Sequence, residues 1–130
     1  MEITIDTSAL LAVIVNESSK ARIVELTQEC DLVCPTSVYW EMGNAFSAMI
    51  KRGRISEQLA LDGIEAFQQI PIRFLDVDLQ AALQLSAQFS IYAYDAYLLQ
   101  CALQTRTKLL SLDQGLIRVA KQCGLTLLEV

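Results

Sequence analysis

Ile3-Thr4-Ile5-Asp6-Thr7-Ser8-Ala9-Leu10-Leu11-Ala12-Val13-Ile14-Val15 is the stretch whose reading decides the fold. Ile3-Thr4-Ile5 is a short β-branched run that stops at a carboxylate, Asp6, and it predicts a first strand. Ser8 is then placed to cap a short apolar helix, Ala9–Val15.

The same alternation continues outward. Further strands are predicted at Asp31–Cys34 (stopped by Pro35), Ile70–Leu75, Lys108–Leu110 and Thr126–Leu128. Ser18 or Ser19 caps a helix to about Glu29, Ser56 one to Gln69, Asp78 one to about Ser90, and another starts near Tyr94. Asp113 caps Gln114–Cys123, with Gly124 ending it. Between Thr36 and Arg52, Val38, Met42, Ala45 and Met49 make one apolar stripe, bordered by Ser37, Glu41, Asn44 and Ala48, and Gly53 is a natural stop. Short strands separated by helices predict an α/β protein: a three-layer α/β/α sandwich with a mainly parallel sheet of about five short strands.

At 130 residues with 53% hydrophobic side chains, the chain is expected to form one domain, residues 1–130. It contains no histidine, which removes Ser-His-Asp and Cys-His nucleophile systems, histidine bases and imidazole-bound zinc. A net charge of −5 argues against gripping nucleic acid by bulk electrostatics. Mean hydropathy is +0.36, but the longest apolar run, Ala9–Val15, is far short of the roughly 20 residues of a membrane span, so no membrane is expected. Glu2 and Asp6 stand where an export signal carries basic residues, so a cytoplasmic location is expected. The apolar excess points instead to a subunit interface, and hence a homodimer. Cys30, Cys34, Cys101 and Cys123 form no CxxC pair and read as reduced, mostly buried thiols.

Placed on this map, Asp6 lies at the carboxyl end of the first strand, Asp113 just beyond the fourth, Asp95 at a helix start, and Glu41 early in the helix after the second strand. Open parallel sheets put their ligand sites outside these strand ends. Two carboxylates about 4 Å apart repel by about 1 kcal/mol in bulk-like dielectric and several-fold more in a cleft. Convergence therefore requires raised pKa values or a divalent cation, and oxygen-only ligands suit Mg²⁺ or Mn²⁺. Each residue alone has a plainer reading: Asp95 and Asp113 as helix caps, Asp6 as a turn residue, Glu41 on a solvated face.

Four segments carry a resemblance. Asp6-Thr7-Ser8 after a hydrophobic strand, Val38-Tyr39-Trp40-Glu41-Met42-Gly43-Asn44-Ala45, Tyr94-Asp95-Ala96-Tyr97-Leu98 and Leu110-Ser111-Leu112-Asp113 together resemble the PIN domain, and in size and pattern the VapC-type toxin ribonucleases of prokaryotic toxin–antitoxin systems. Ser111 stands where threonine is commoner. The resemblance implies that Asp6, Glu41, Asp95 and Asp113 hold one or two Mg²⁺ or Mn²⁺ ions, supported by Ser8, Asn44 and Ser111, for hydrolysis of RNA phosphodiesters. It implies a cognate antitoxin protein as partner. Lys51, Arg52 and Arg54, after the Glu41 helix, have two readings: RNA contact, or favourable placement at a helix C-terminus. A non-toxin RNA-processing nuclease and a PIN-like binding module without turnover are the alternatives within that fold. Outside it, a haloacid-dehalogenase-type phosphatase wants a second Asp where Ser8 stands, and a receiver domain wants a Lys after the last strand.

Overall fold

A computed structural model describes residues 1–130. In chain order the elements are β1 (Glu2–Ile5), α1 (Thr7–Ile14), α2 (Lys20–Thr27), β2 (Asp31–Pro35), α3 (Ser37–Lys51) and α4 (Glu57–Gln69). They continue with β3 (Ile72–Leu75), α5 (Leu79–Phe89), α6 (Ala93–Thr105), β4 (Lys108–Leu110) and α7 (Gln114–Gln122). All strand pairs are parallel and the sheet order is β3-β2-β1-β4, with Thr4 beside Val33 on one side and Leu109 on the other. The chain works outward from β1 to β3 and then returns to the other side of β1. That reversal makes the β1–β4 junction the switch point of the sheet, where open parallel folds leave a crevice.

The pleat sends alternate β1 side chains to opposite layers. Ile3 and Ile5 join a 19-residue core with Leu10, Ile23, Val38, Met42 and Phe46. Thr4, fully buried, meets α6 instead, donating its hydroxyl to Cys101 Sγ at 3.7 Å. Ala96, Cys101 and Ala102 are also fully buried, and their small side chains let α6 lie close to β1 and β2. Helices α1 to α4 pack with one another and α5 packs on α6, so the expected three-layer α/β/α architecture is the one observed.

Three boundaries differ from the sequence expectation. Thr126–Leu128 is not a strand: β4 is three residues long, and the segment adds only one bridge, Leu109 to Leu127. The sheet therefore has four strands, not five. The first helix starts at Thr7, and its cap is Asp6 rather than Ser8, because the Asp6 carboxylate is the group that accepts from the Ala9 amide. β3 begins at Ile72 rather than Ile70, since α4 runs to Gln69 and Pro71 follows at once. Gly53 ends α3 with φ +68, as its position predicted. All four cysteines are free thiols, and burial pushes Cys101 up to about 11 and Cys34 higher still.

Candidate active site

Asp6 follows directly from the end of β1, and its amide donates to Leu110 O at the end of β4, which fixes the two strand ends side by side. The residue is 3% exposed. Burial pushes its carboxyl above the ordinary carboxylate range, with Asp113 adding to the rise. Hydrogen bonds from Ser111, Ser8 and Ala9 act in the opposite sense. The Ala9 amide reaches Oδ1 at 3.0 Å, the Ser8 hydroxyl reaches Oδ1 at 2.7 Å and Oδ2 at 2.9 Å, and the Ser111 hydroxyl donates to Oδ2. Each serine is itself held: Ser8 Oγ accepts from the Leu112 amide at 3.0 Å and Ser111 Oγ from the Asp113 amide at 3.0 Å. The two hydroxyls thus tie the β1 end to the β4 end through one buried carboxylate.

Glu41 lies in the second turn of α3, half-buried. Burial again raises its carboxyl, and the nearby charges of Asp6 and Asp95 raise it further. Its Oε2 accepts from the Thr7 hydroxyl at 3.0 Å, while Oε1 is shut off from solvent without a partner. Thr7 was missed by sequence reasoning; the one available signal was a hydroxyl between Asp6 and Ser8, on the first residue of α1.

Asp95 is the third residue of α6, whose cap position is Tyr92, so it makes no capping bond. Burial raises its carboxyl, and Asp113 adds to that. Asp113 is exposed and does cap α7, its Oδ1 accepting from the Gly115 amide at 2.9 Å and the Leu116 amide at 3.1 Å. The charges act in four pairs: Asp113 on Asp6, Asp6 and Asp95 on Glu41, and Asp113 on Asp95. The carboxylates therefore form a closed circuit at the switch point.

The remaining expected residues are placed unevenly. Asn44 follows Glu41 by three positions on α3, exposed, and takes part in none of the hydrogen bonds above. Lys51, Arg52 and Arg54 are exposed at the opposite end of α3, about 15 Å along the helix axis from Glu41.

The donor set suits a hard divalent cation. It is all oxygen, it carries mutually repelling charge with no basic residue in an ion pair to it, and Glu41 Oε1 is a buried acceptor with nothing to accept. As they stand, no three of these side chains make a ready ligand group for one ion.

A family model for the PIN domain matches residues 3–122. The chain belongs to the PIN domain family. No curated protein sequence matches it. Among solved structures, PAE2754 from Pyrobaculum aerophilum is similar at TM-score 0.72 and 19% identity, over 92% of this chain and 79% of that one. VapBC2 from Rickettsia felis, solved bound to a DNA fragment from its promoter, is similar at TM-score 0.71 and 14% identity, over 98% of each chain. VapC20 from Mycobacterium tuberculosis, described as a Sarcin-Ricin loop cleaving toxin, is similar at TM-score 0.67 and 12% identity, over 98% of this chain and 99% of that one. With the family model, these likenesses show the PIN fold over 92–98% of the chain. No helix is long and apolar enough to cross a membrane.

Proposed function

We propose that this PIN domain is a Mg²⁺- or Mn²⁺-dependent endoribonuclease of the VapC type, the toxin of a toxin–antitoxin pair. The observation that carries it is the circuit of four carboxylates at the β1–β4 switch point, three of them with raised pKa values and none with a basic partner. Asp6, Glu41, Asp95 and Asp113 are the residues that would hold the metal. When bound, a divalent cation neutralises the cleft, acidifies a water for attack on phosphorus and stabilises the added charge on the phosphodiester.

The chain's own part is positioning. Ser8 and Ser111 hold both oxygens of Asp6 and offset part of the cost of its burial, favouring the carboxylate form against the larger effect of desolvation. Thr7 fixes one oxygen of Glu41 and leaves Oε1 as the open acceptor for a water proton or a cation. Neutralising this end also lets a chain of net charge −5 approach a polyanion. The antitoxin partner is carried over from the VapBC2 likeness. The homodimer rests on the apolar excess and on Leu59 and Leu61 of α4, both more than half exposed. Sedimentation as a monomer at micromolar concentration would exclude it.

A second reading, a PIN fold that binds without turnover, draws on the lack of a ready three-ligand group. One assay separates the two. Purified protein incubated with RNA should cut it with Mg²⁺ or Mn²⁺, and EDTA or Asp6→Asn should stop the cutting. Expression should arrest growth, and Asp6→Asn or Asp95→Asn should relieve the arrest. Cutting that survives both EDTA and Asp6→Asn overturns the proposal.

A further inference from the structure

A hollow of about 280 Å³ opens at the carboxyl ends of β2 and β3. Pro35, Thr36, Leu75, Asp76, Leu79 and Tyr97 line it. Its place in the fold ties it to the carboxylates. Parallel strands lie about 4.8 Å apart, so in the order β3-β2-β1-β4 the hollow starts one strand over from Asp6. Its walls are the first turn of α3, one turn before Glu41, and the first turns of α6, where Tyr97 follows Asp95 by two residues. A strand of nucleic acid with a phosphate at the carboxylates would bring its neighbouring base to this hollow.

The polar part is preorganised. The Thr36 hydroxyl lies 3.1 Å from Asp76 Oδ1 and 3.1 Å from Leu75 O. The main chain of the same loop is pinned to α6: Gln104 Nε2 donates to Asp76 O at 3.3 Å, and Gln104 Oε1 accepts from the Asp78 amide at 3.1 Å. Asp76 neither caps α5, which is the role of Asp78, nor pairs with a cation. It is a fixed, exposed carboxylate with Oδ2 unused. The apolar part is the Tyr97 ring, set edge-on to Tyr94 at 5.8 Å, with Leu79 at the rim, 64% exposed on the first residue of α5.

An aromatic wall beside a single fixed carboxylate suits a flat, hydrogen-bonding ring. Single-stranded RNA is recognised in this way, by stacking and by hydrogen bonds to a splayed-out base. The volume lies near the lower end for ligand cavities and holds one base rather than a longer segment. A carboxylate offers two acceptors side by side, and guanine alone presents two adjacent donors, N1–H and the N2 amino group. Adenine and cytosine place a ring-nitrogen acceptor next to their amino group, and uracil flanks its one donor with carbonyls, so each sets a lone pair against the carboxylate.

We propose that this hollow is a base subsite selecting guanine at a nucleotide next to the cleaved phosphodiester, with Asp76 reading the base and Tyr97 stacking on it. The cleavage half of this statement rests on the ribonuclease reading above; the base-binding half does not.

The test is to digest a random-sequence RNA pool with the purified protein and Mg²⁺ or Mn²⁺, then sequence the cut ends. Guanine should be enriched about tenfold at one fixed position beside the cut, the scale of discrimination of one good bidentate pair. In Asp76→Asn the enrichment should fall below about twofold, and Asp76→Glu should restore part of it. The readout is a ratio within each digest, so it is independent of each variant's rate. A flat base distribution in the wild type, or enrichment that survives Asp76→Asn, overturns the proposal. If the wild type cuts nothing, the ribonuclease reading has failed and a second arm decides on the hollow. The four ribonucleoside 5′-monophosphates are titrated into the protein in EDTA and followed by the amide resonances of Asp76 and Tyr97. Saturable shifts with the guanine nucleotide at concentrations where the other three give none support the subsite; equal shifts with all four, or none, overturn it.

Discussion

The two ends of the sheet treat their acidic residues in opposite ways. Toward the amino ends, Glu2 of β1 receives the Arg73 guanidinium of β3 through Nη2 at 2.8 Å and Nε at 3.2 Å, charge against charge in the open. At the carboxyl ends, Asp6, Glu41 and Asp113 meet only hydroxyls and amides, and Asp95 pairs with no basic residue. Neutral donors fix geometry without cancelling charge. The first end is complete as it stands; the second keeps its negative potential and the strain that accompanies it. That contrast separates an acidic residue used for structure from a set that, on the proposed function, is kept for a cation.

The largest effect that would break the contrast is on turnover. Removing a residue that only supports a metal ligand typically costs 10–100-fold, so losing a ligand should cost more than about 100-fold. Asp6→Asn and Asp95→Asn should therefore lower RNA cleavage by more than about 100-fold, read by gel with the far-red or mass trace of a labelled strand. Thr7→Val, which frees Glu41 Oε2, should fall within the 10–100-fold band. Equal activity of wild type and Asp6→Asn would reduce the carboxyl end to the same structural status as the amino end.

Next in size is the response to metal. At ten times an assumed millimolar dissociation constant, Mg²⁺ should add about 1.4 kcal/mol. For a domain of this length that is a rise in melting temperature of roughly 3–6 °C. The pH dependence carries a definite sign. Burial raises Asp6, Glu41 and Asp95, so the metal-free native state holds protons that the unfolded chain has already released. These groups therefore contribute a loss of stability as pH rises from the ordinary carboxylate range through the raised native values. Melts in EDTA should show Asp95→Asn gaining on the wild type as pH rises across that window, and Mg²⁺ should close the gap. A difference between the two proteins that is constant with pH would remove Asp95 from the circuit.

How far the carboxyl end was legible in the sequence depends on whether the deciding partner was local. Ile3-Thr4-Ile5 followed by Asp6 exposed both the strand and the acidic residue at its end, because a β-branched run and its stop are neighbours in the chain. Asp113 as the cap of α7 was equally local. Thr126–Leu128 has strand-like composition, yet whether it is a strand depends on β4, which is three residues long and leaves it a single bridge. Ser8 looked like a cap because helix-start preferences rank Ser and Asp alike; only the fold decides that Ser8 turns to Asp6 and Leu112. The Thr7–Glu41 bond joins residues 34 positions apart and has no local signature. Lys51, Arg52 and Arg54 were near Glu41 only in sequence, since a helix carries them off along its axis.

A smaller effect divides two residues that sequence reasoning treated as equivalent caps. Asp113 accepts two amides of α7, so Asp113→Ala should cost about 1 kcal/mol in EDTA, while Asp113→Asn, a comparable cap, should cost little. Asp95 caps nothing, so Asp95→Ala forfeits only a favourable place in the first turn of α6, about 0.3–1 kcal/mol, against relief of repulsion from its neighbours. In EDTA it should be as stable as the wild type or more so. Urea melts of the three variants decide the matter, and equal losses for Asp95→Ala and Asp113→Ala would show that Asp95 is structural after all.

The smallest effect lies at the other end and serves as its control. Arg73 and Glu2 are partly exposed, with side chains 54% and 39% accessible, and ion pairs of this kind contribute about 0.2–1 kcal/mol. Arg73→Ala should therefore lower the melting temperature slightly, by an amount that shrinks further in high salt as the pair is screened. It should leave the Mg²⁺-induced rise unchanged, because the pair lies at the end of the sheet away from the four carboxylates. Removing the positive partner leaves Glu2 half in water, where an unpaired carboxylate is solvated at little cost. On the proposed function, removing a cation from the carboxyl end would leave Asp6 and Glu41 charged where water reaches poorly. If Arg73→Ala altered the Mg²⁺ response as much as Asp95→Asn does, the metal effect would be one of net charge rather than of a site, and the distinction between the two ends would disappear.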